Sequence, residues 1–330
     1  MSGSEKKVRV AVVGAGEFGR NHARVYREMP EVELVGVVDI DSGRAESVAR
    51  EFGSVAMDSI ESLRDRVDGV SLAVPTAMHA KVGCELFEMG LDVLVEKPIA
   101  SSIEEADVLI AAAKEHDRIL QIGHVERFNP AVTAAEKLVD RPLFFEVHRL
   151  GVFSARSLDV DVIFDVMIHD LDILLALVNE PVADVKAVGI PVLTNKVDIA
   201  HARLEFESGA VANVTASRVS TERVRKMRFF QSHEYISLDF ARRDVLRVRV
   251  AQPGPKPEFG YEKVTTLDQE PLRAELESFV ESVRTRRNPR VDGAAGRRAL
   301  LLASQVAASI QEHGQRVQLG AFAVSRSDSK

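Results

Sequence analysis

A two-domain α/β protein is the fold class that the sequence predicts: a doubly wound parallel sheet first, then an α+β domain with a mainly antiparallel open sheet. Three observations carry this expectation. Across the first ~120 residues, short apolar runs alternate with amphipathic stretches at helical spacing, the order required by parallel strands joined through right-handed crossovers. From about residue 183 to 265 the runs alternate apolar and polar residues and follow one another without helices between them, as hairpin-connected strands do. The chain has 330 residues, enough for two hydrophobic cores. The expected division is 1–123, then 124–320, with a polar tail at 321–330 that lacks the means to order itself.

In the first domain, strands are expected at 8–13, 32–39, 69–74, 91–95 and 118–122, each a short run dominated by Val, Leu and Ile. Helices are expected between them at 17–29, 42–52, 59–66, 78–89 and 103–116. Ser101 and Ser102 each precede a glutamate by three residues, a capping-box pattern opening the last of these. In the second domain a helix over 130–139 starts at Pro130, with Asn129 as its cap. A strand over 143–153 and a very apolar helix over 163–178 follow. The β-rich region includes strands at 200–206, 211–219 and 235–240, and residues 252–257 form a Pro- and Gly-rich loop. Helices at 272–284 and 294–312 close the chain.

The composition is that of an ordinary globular protein, 45% hydrophobic and 28% charged. A net charge of −7 argues against nucleic acid or an anionic membrane as the main partner. Cys84 is the single cysteine, so no disulfide can form within the chain, and its neighbours Val82, Leu86 and Phe87 suggest a small buried hydrophobe. The opening residues carry no apolar leader and no run is long enough to span a bilayer, so the expected location is cytoplasmic.

Chemistry concentrates in four places. Gly14-Ala15-Gly16-Glu17-Phe18-Gly19 follows a strand and opens a helix, the context in which G-x-G-x-x-G cradles a dinucleotide pyrophosphate. Asp39 ends the second strand, where an acid hydrogen-bonds the adenosine ribose hydroxyls and repels a 2′-phosphate. NAD is therefore expected over NADP, although Arg44 could pair with a phosphate and weaken the preference, and Asp39 could instead cap the next helix. Pro75 and Thr76 end another strand, with His79 three residues later in a position more often structural. Glu96-Lys97-Pro98 follows the strand expected at 91–95, beyond whose carboxyl edge such sheets bind ligands, so Lys97 is placed to move a proton.

The other two places lie in the second half. Asp165, His169 and Asp172 fall on one face of an otherwise apolar helix, and burying them unpaired would cost roughly 2–7 kcal/mol per polar group. A structural Asp–His pair, a metal site and catalysis all answer that cost, with Asp165 orienting His169 in the last case. At the junction of the two halves, His124-Val125-Glu126-Arg127-Phe128-Asn129-Pro130 offers Arg127 and Asn129 to a ligand, or an Arg–Glu pair and a helix cap. The basic stretch 223–228 reads as a solvated strand or, less readily, as a phosphate reader.

Taken together, the glycine fingerprint, Asp39, Pro75 with His79, Glu96-Lys97-Pro98 and the spaced Asp165, His169 and Asp172 resemble the glucose–fructose oxidoreductase / inositol dehydrogenase / rhizopine catabolism protein (Gfo/Idh/MocA) family. The resemblance spans most of the chain. It implies a Rossmann domain that binds NAD without a metal, and a second domain whose open sheet packs between subunits in a homodimer or homotetramer. It also implies that Lys97, Asp165 and His169 meet a sugar or polyol, with Gly14 to Gly19, Asp39, Arg44, Pro75, Thr76, His79, Glu96 and Lys97 around the cofactor. Many members carry a Gly-Gly pair shortly before the aspartate, where this chain has Asp159-Val160-Asp161-Val162. That form, with the H-V-E-R-F-N-P stretch, is similar to the branch of bacterial UDP-N-acetylglucosamine 3-dehydrogenases, which supply lipid A biosynthesis. It implies oxidation of that nucleotide sugar, with Arg127 and Asn129 on the substrate. Inositol or free-sugar oxidation is the alternative within the family, and a non-catalytic sugar and NAD sensor the alternative outside catalysis.

Overall fold

The computed structural model describes residues 6–154, 160–252 and 258–317, which fall into two compact units. The first comprises the chain up to Phe128 together with Gln269–Leu300, the second the remainder.

The first unit opens with β1 (Val8–Val13), α1 (Glu17–Glu28), β2 (Val32–Val38), α2 (Ser42–Phe52) and β3 (Val55–Met57). A 3-10 turn (Ile60–Leu63), β4 (Gly69–Leu72), a second 3-10 turn (Thr76–Met78), α3 (His79–Glu88), β5 (Asp92–Glu96), α4 (Ile103–Glu115) and β6 (Leu120–Gly123) follow. All six strands are parallel, in the order β3-β2-β1-β4-β5-β6. The chain winds outward from β1 on both sides, so the strand order, not the strand direction, reverses between β1 and β4 and opens a crevice beyond their carboxyl ends. Both faces of the sheet are covered, which is why β1, β4 and β5 are almost continuously buried.

One expected element changed and one strand appears that the sequence pattern did not predict. The helix over 59–66 is only the 3-10 turn, because Ser59 makes no side-chain cap and Asp65 takes a left-handed φ of 61°. The edge strand β3 was too short to register as a period-2 run. At the start of α4, Ser102 accepts from the Glu105 N–H, while the Glu105 carboxylate accepts from the Ser101 N–H, so the two serines share one reciprocal cap.

The second unit contains α5 (Pro130–Glu136), β7 (Phe144–Leu150), a π-helical turn (Ile163–Met167), α6 (Ile168–Val178), β8 (Val182–Ile190), β9 (Ile199–Phe206), β10 (Val211–Ser217), β11 (Val224–Gln231), β12 (Glu234–Asp239), β13 (Asp244–Gln252) and β14 (Glu258–Val264). Its eight strands run β14-β13-β12-β11-β7-β10-β9-β8, with β7–β10 the one parallel pairing. Alternation decides the faces: Phe145, Val147, Ala212, Val214, Met227, Phe229, Ile236 and Leu238 are buried, and His148, Arg203, Lys226 and Arg228 face outward. Of the apolar side chains Val211, Val214, Val219, Phe229 and Ile236, from which association through this sheet is expected, Val211 and Val219 are half-buried and the other three lie inside. Val214, Phe229 and Ile236 are fully buried within their own chain, so those three give no argument for association.

Two helices remain, α7 (Pro271–Thr285) and α8 (Gly293–Arg316). By order in the chain they belong with the second domain. Instead α7 and α8 as far as Leu300 group with the first unit, where Leu276, Phe279 and Val280 join the core formed by Val10, Val12, Tyr26, Val37 and Leu94. The polar tail 321–330 and most of the 252–257 loop lie outside the described residues. Among the described residues no helix is long and apolar enough to cross a membrane.

Candidate functional site

The crevice of the first unit is built by glycines. Gly14 leaves β1 with φ 97°, and a Cβ on it would lie 2.5 Å from the Ala73 carbonyl oxygen, so only glycine lets the loop pass beside the end of β4. At Gly19 a Cβ would collide with the Gly14 carbonyl, which seats α1 against its own loop. Gly16 differs: a Cβ there would meet nothing within 4 Å, and Gly16 is the N-cap of α1 with no side-chain cap bond. Open space at the uncapped amino end of a 12-residue helix fits a pyrophosphate, because the helix dipole and N–H groups favour anions. Ala15 is buried, while Glu17 and Phe18 are exposed on the first turn.

Asp39 follows β2 and is tied into this loop, its carboxylate accepting from the Ala15 N–H at 2.6 Å and the Asp41 N–H at 2.9 Å. It does not cap α2. That role belongs to Asp41, which accepts from the Arg44 N–H and also meets the Arg44 guanidinium at 3.4 Å. Arg44 is thus exposed and already engaged by an acid of its own helix turn. Pro75 and Thr76 sit just beyond β4, at the start of the second 3-10 turn.

Glu96, Lys97 and Pro98 leave β5 with a cis peptide between Lys97 and Pro98. His79, expected near the cofactor, is buried, and its Nδ1 and Nε2 lie 3.0 Å from the carbonyls of Pro98 and Val74 respectively. Burial holds its pKa below the ordinary value, and the two carbonyls, each an acceptor that calls for an N–H, oppose that shift. With both nitrogens spent on backbone, His79 braces the end of β4 against the Lys97–Pro98 turn instead of touching a ligand. Glu96 also departs from expectation. Its carboxylate turns into the protein, with Oε1 3.0 Å from His22 Nε2 of α1, and Oε2 accepts from the Lys97 N–H at 3.2 Å. Burial pushes the Glu96 pKa up, but His22 and Lys97 outweigh it and hold the acid ionised.

In the second unit, the straight helix expected over 163–178 begins with the π-helical turn, which shifts the phase between Asp165 and the α6 residues that follow. Asp165 and His169 are half-buried, and Asp172 is buried. The neighbour that sequence reasoning passed over is Asp170. It accepts a two-pronged pair of hydrogen bonds from Arg149 of β7, at 2.8 and 2.7 Å, with both side chains inside. Arg149 also lies 5.0 Å from the centroid of the Phe240 ring. This buried pair locks α6, and with it His169, against the sheet. Arg149 follows Phe145 and Val147 on the core face of β7, and an arginine at that phase was the available signal.

Asn129, expected to meet substrate, is buried with its amide committed: Oδ1 accepts from the Ala131 N–H as the cap of α5, and Nδ2 donates to the Phe240 carbonyl. Arg127 is half-buried on a 3-10 turn (Val125–Phe128) of the first unit. The stretch 223–228 enters β11, where Arg228 pairs with Glu146 on the outward face. Cys84 is half-buried, with its thiol pKa raised by burial.

Comparison with known proteins agrees with this architecture. Residues 8–124 match the oxidoreductase family, NAD-binding Rossmann fold (GFO_IDH_MocA), and residues 143–236 match the GFO/IDH/MocA C-terminal domain. The UDP-N-acetylglucosamine 3-dehydrogenase of Acidithiobacillus ferrooxidans is 39% identical over 313 residues, covering 94% of this chain and 99% of that protein. A solved structure of that dehydrogenase superposes with a TM-score of 0.87, over 93% of this chain and 98% of the other. The scyllo-inositol 2-dehydrogenase (NAD(+)) of Bacillus subtilis is 34% identical over 236 residues, 66% of this chain and 69% of the relative. Levoglucosan dehydrogenase in complex with NADH and levoglucosan shares the fold, with a TM-score of 0.83 at 20% identity over 93% of this chain and 98% of that one.

Proposed function

Because the chain belongs to the Gfo/Idh/MocA family of NAD-dependent oxidoreductases, we propose that it oxidises a secondary alcohol of a sugar ring, specifically the 3-hydroxyl of UDP-N-acetylglucosamine. The observation that carries this reading is the near-complete likeness to a UDP-N-acetylglucosamine 3-dehydrogenase, joined to the D-V-D-V and H-V-E-R-F-N-P stretches. A 3-keto nucleotide sugar is a ready substrate for amination, the use that lipid A biosynthesis would make of it. The inositol dehydrogenase relative favours inositol as the second reading.

The Gly14–Gly19 loop and the amino end of α1 would hold the NAD pyrophosphate, with Asp39 on the adenosine ribose and Pro75, Thr76 and Lys97 lining the nicotinamide side. When bound, NAD supplies a hydride acceptor for the alcohol carbon. Lys97 takes the hydroxyl proton, His169 hydrogen-bonds the same hydroxyl and shares that proton, and Asp165 fixes the His169 ring. Arg127 offers a planar fork to the substrate diphosphate. Asn129, His79 and Glu96 hold the backbone that presents these groups. The outward face of the large sheet is proposed to associate copies into a dimer or tetramer.

The deciding experiment follows NADH formation and product mass with UDP-N-acetylglucosamine, free N-acetylglucosamine, glucose and myo-inositol. A 3-keto product from the nucleotide sugar is expected. Oxidation of inositol or a free sugar alone would remove the nucleotide-sugar assignment and leave the dehydrogenase standing.

A further inference from the structure

The interior of the first unit holds a polar cluster that the proposed reaction does not use. One nitrogen or oxygen from each of His22 in α1, Glu96 at the end of β5 and Glu275 in α7 lies within 4.8 Å of the other two. Glu275 is 0% exposed, and neither oxygen of its side chain has a hydrogen-bond partner among the described residues. Its backbone carbonyl accepts from Gln121 Nε2 of β6 at 2.9 Å, which fixes α7 at this point. Beside Glu96, β6 presents Gly123, where a Cβ would lie 3.1 Å from Glu96 Cδ and Oε1. The glycine therefore leaves Glu96 the room to fold toward His22. Four elements from distant parts of the chain thus converge on one buried polar cluster.

Two carboxylates this close and out of water do not both hold a charge. Glu96 has the stabilising company: the His22 ring nitrogen at 3.0 Å, the Lys97 N–H at 3.2 Å, and the Lys97 side chain next in sequence. Glu275 faces the negative Glu96 and, from α1, Tyr26, whose hydroxyl is engaged with Ser71. The 3-10 turn packed on α7 contributes Glu126 and Arg127, and the outer turns of α1 and α7 pair Arg24 with Glu270 and Arg273 with Glu28. Burial first, and Glu96 second, push the Glu275 pKa well above that of an ordinary glutamate.

We propose that Glu275 is a neutral carboxylic acid at neutral pH and a positioning residue for the Glu96-Lys97-Pro98 turn. Its proton lets Glu96 carry a single negative charge, shared between His22 and the Lys97 N–H, so that the backbone bearing Lys97 has one arrangement. The positioning half of this proposal rests on the reading of Lys97 as the proton-transfer group; the protonation half does not.

The protonation half is tested by thermal melts of the full-length wild type and Glu275→Gln across pH. A raised folded-state pKa means that the acid's contribution is fully present below about 4.5, the ordinary glutamate value, and is lost as pH rises toward the folded-state pKa. Glutamine cannot ionise, so the two proteins should melt together near pH 4.5 and the variant should melt several degrees higher at pH 8. A variant that melts lower than wild type at pH 8 would mean that Glu275 is ionised and paired, overturning the proposal. So would a stoichiometric divalent ion in the purified wild type that is lost in the variant. For positioning, Glu275→Met should lower kcat about tenfold or more with KM for NAD within about twofold, and Glu275→Gln should restore it. Equal turnover in the Met variant would make Glu275 a space filler, and Glu275→Ala provides the same comparison if Met does not fold. Normal turnover in Lys97→Ala would remove the lysine reading while leaving the melting comparison to decide the proton.

Discussion

Two nitrogen–oxygen contacts change what His79 is for. His79 was read as a cofactor contact, yet both ring nitrogens are spent on carbonyls, whereas Lys97 sits on the turn that His79 braces. Lys97→Ala should leave NAD affinity within a few-fold and lower kcat by roughly 10²–10⁴, the scale of a lost acid–base group, in steady-state assays. Asp39 has one tie to the glycine loop and one to its own turn, and both are backbone N–H groups. Asp39→Asn keeps an acceptor but removes the charge, so kcat/KM measured with NAD and NADP should show the preference for NAD narrowing. Equal use of both cofactors by the wild type would count against Asp39 as the discriminating group. The glycine fingerprint, Asp39 and the E-K-P turn were legible because each is a local pattern at a strand end. His22 and Glu275 were not, since a histidine on the apolar face of a helix and a glutamate in an amphipathic one look ordinary until the fold brings them together.

At the scale of elements, the sequence revealed periodicity well and partnerships poorly. Strands β1, β2, β4 and β5 stood out as apolar runs, and the alternation in β7 and β9 to β12 predicted which side chains point inward. The π-helical turn before α6 was invisible, because its apolar residues fit an α-helix equally well. Asn129 shows how a polar residue at a junction can be structural twice, capping α5 and holding the Phe240 carbonyl. Asn129→Ala should cost about 1–2 kcal/mol in denaturant unfolding, the cap and the buried hydrogen bond together. Asp198 performs a comparable task between β8 and β9, accepting from the N–H groups of Val192, Leu193 and Thr194 and pairing with Arg218. Burial pushes its pKa up, but these hydrogen bonds outweigh it and hold the value at about 2, below the ordinary 3.8. A depressed carboxylate stabilises the fold above its unfolded pKa and loses that contribution as pH falls through its folded one. Asp198→Asn should therefore be less stable by roughly 2 kcal/mol at pH 7, with the deficit vanishing between about pH 4 and 2 in urea titrations.

For the whole molecule, the two kinds of sheet were legible from the change in texture near residue 123, and the return of the chain to the first unit was not. Helices near a carboxyl terminus give no sign of which core they complete; only the packing of Phe279 among Val10, Tyr26 and Leu94 shows it. Association is expected through the outward face of the large sheet, and light scattering at micromolar concentration should give a dimer or tetramer. A clean monomer would count against it. The late return of α7 also bears on how the protein is made. On a ribosome the first ~128 residues emerge as a nearly complete parallel sheet that still lacks Leu276, Phe279 and Val280 from its core. Domains ordinarily finish in the order in which they are synthesised. Here the earlier one must wait, incompletely covered, until the second unit's sheet and then Leu276, Phe279 and Val280 have been translated. Stalled nascent chains ending near residue 250 should thus remain protease-sensitive in their amino-terminal half, and chains extended beyond residue 300 by the length of the exit tunnel should become resistant there.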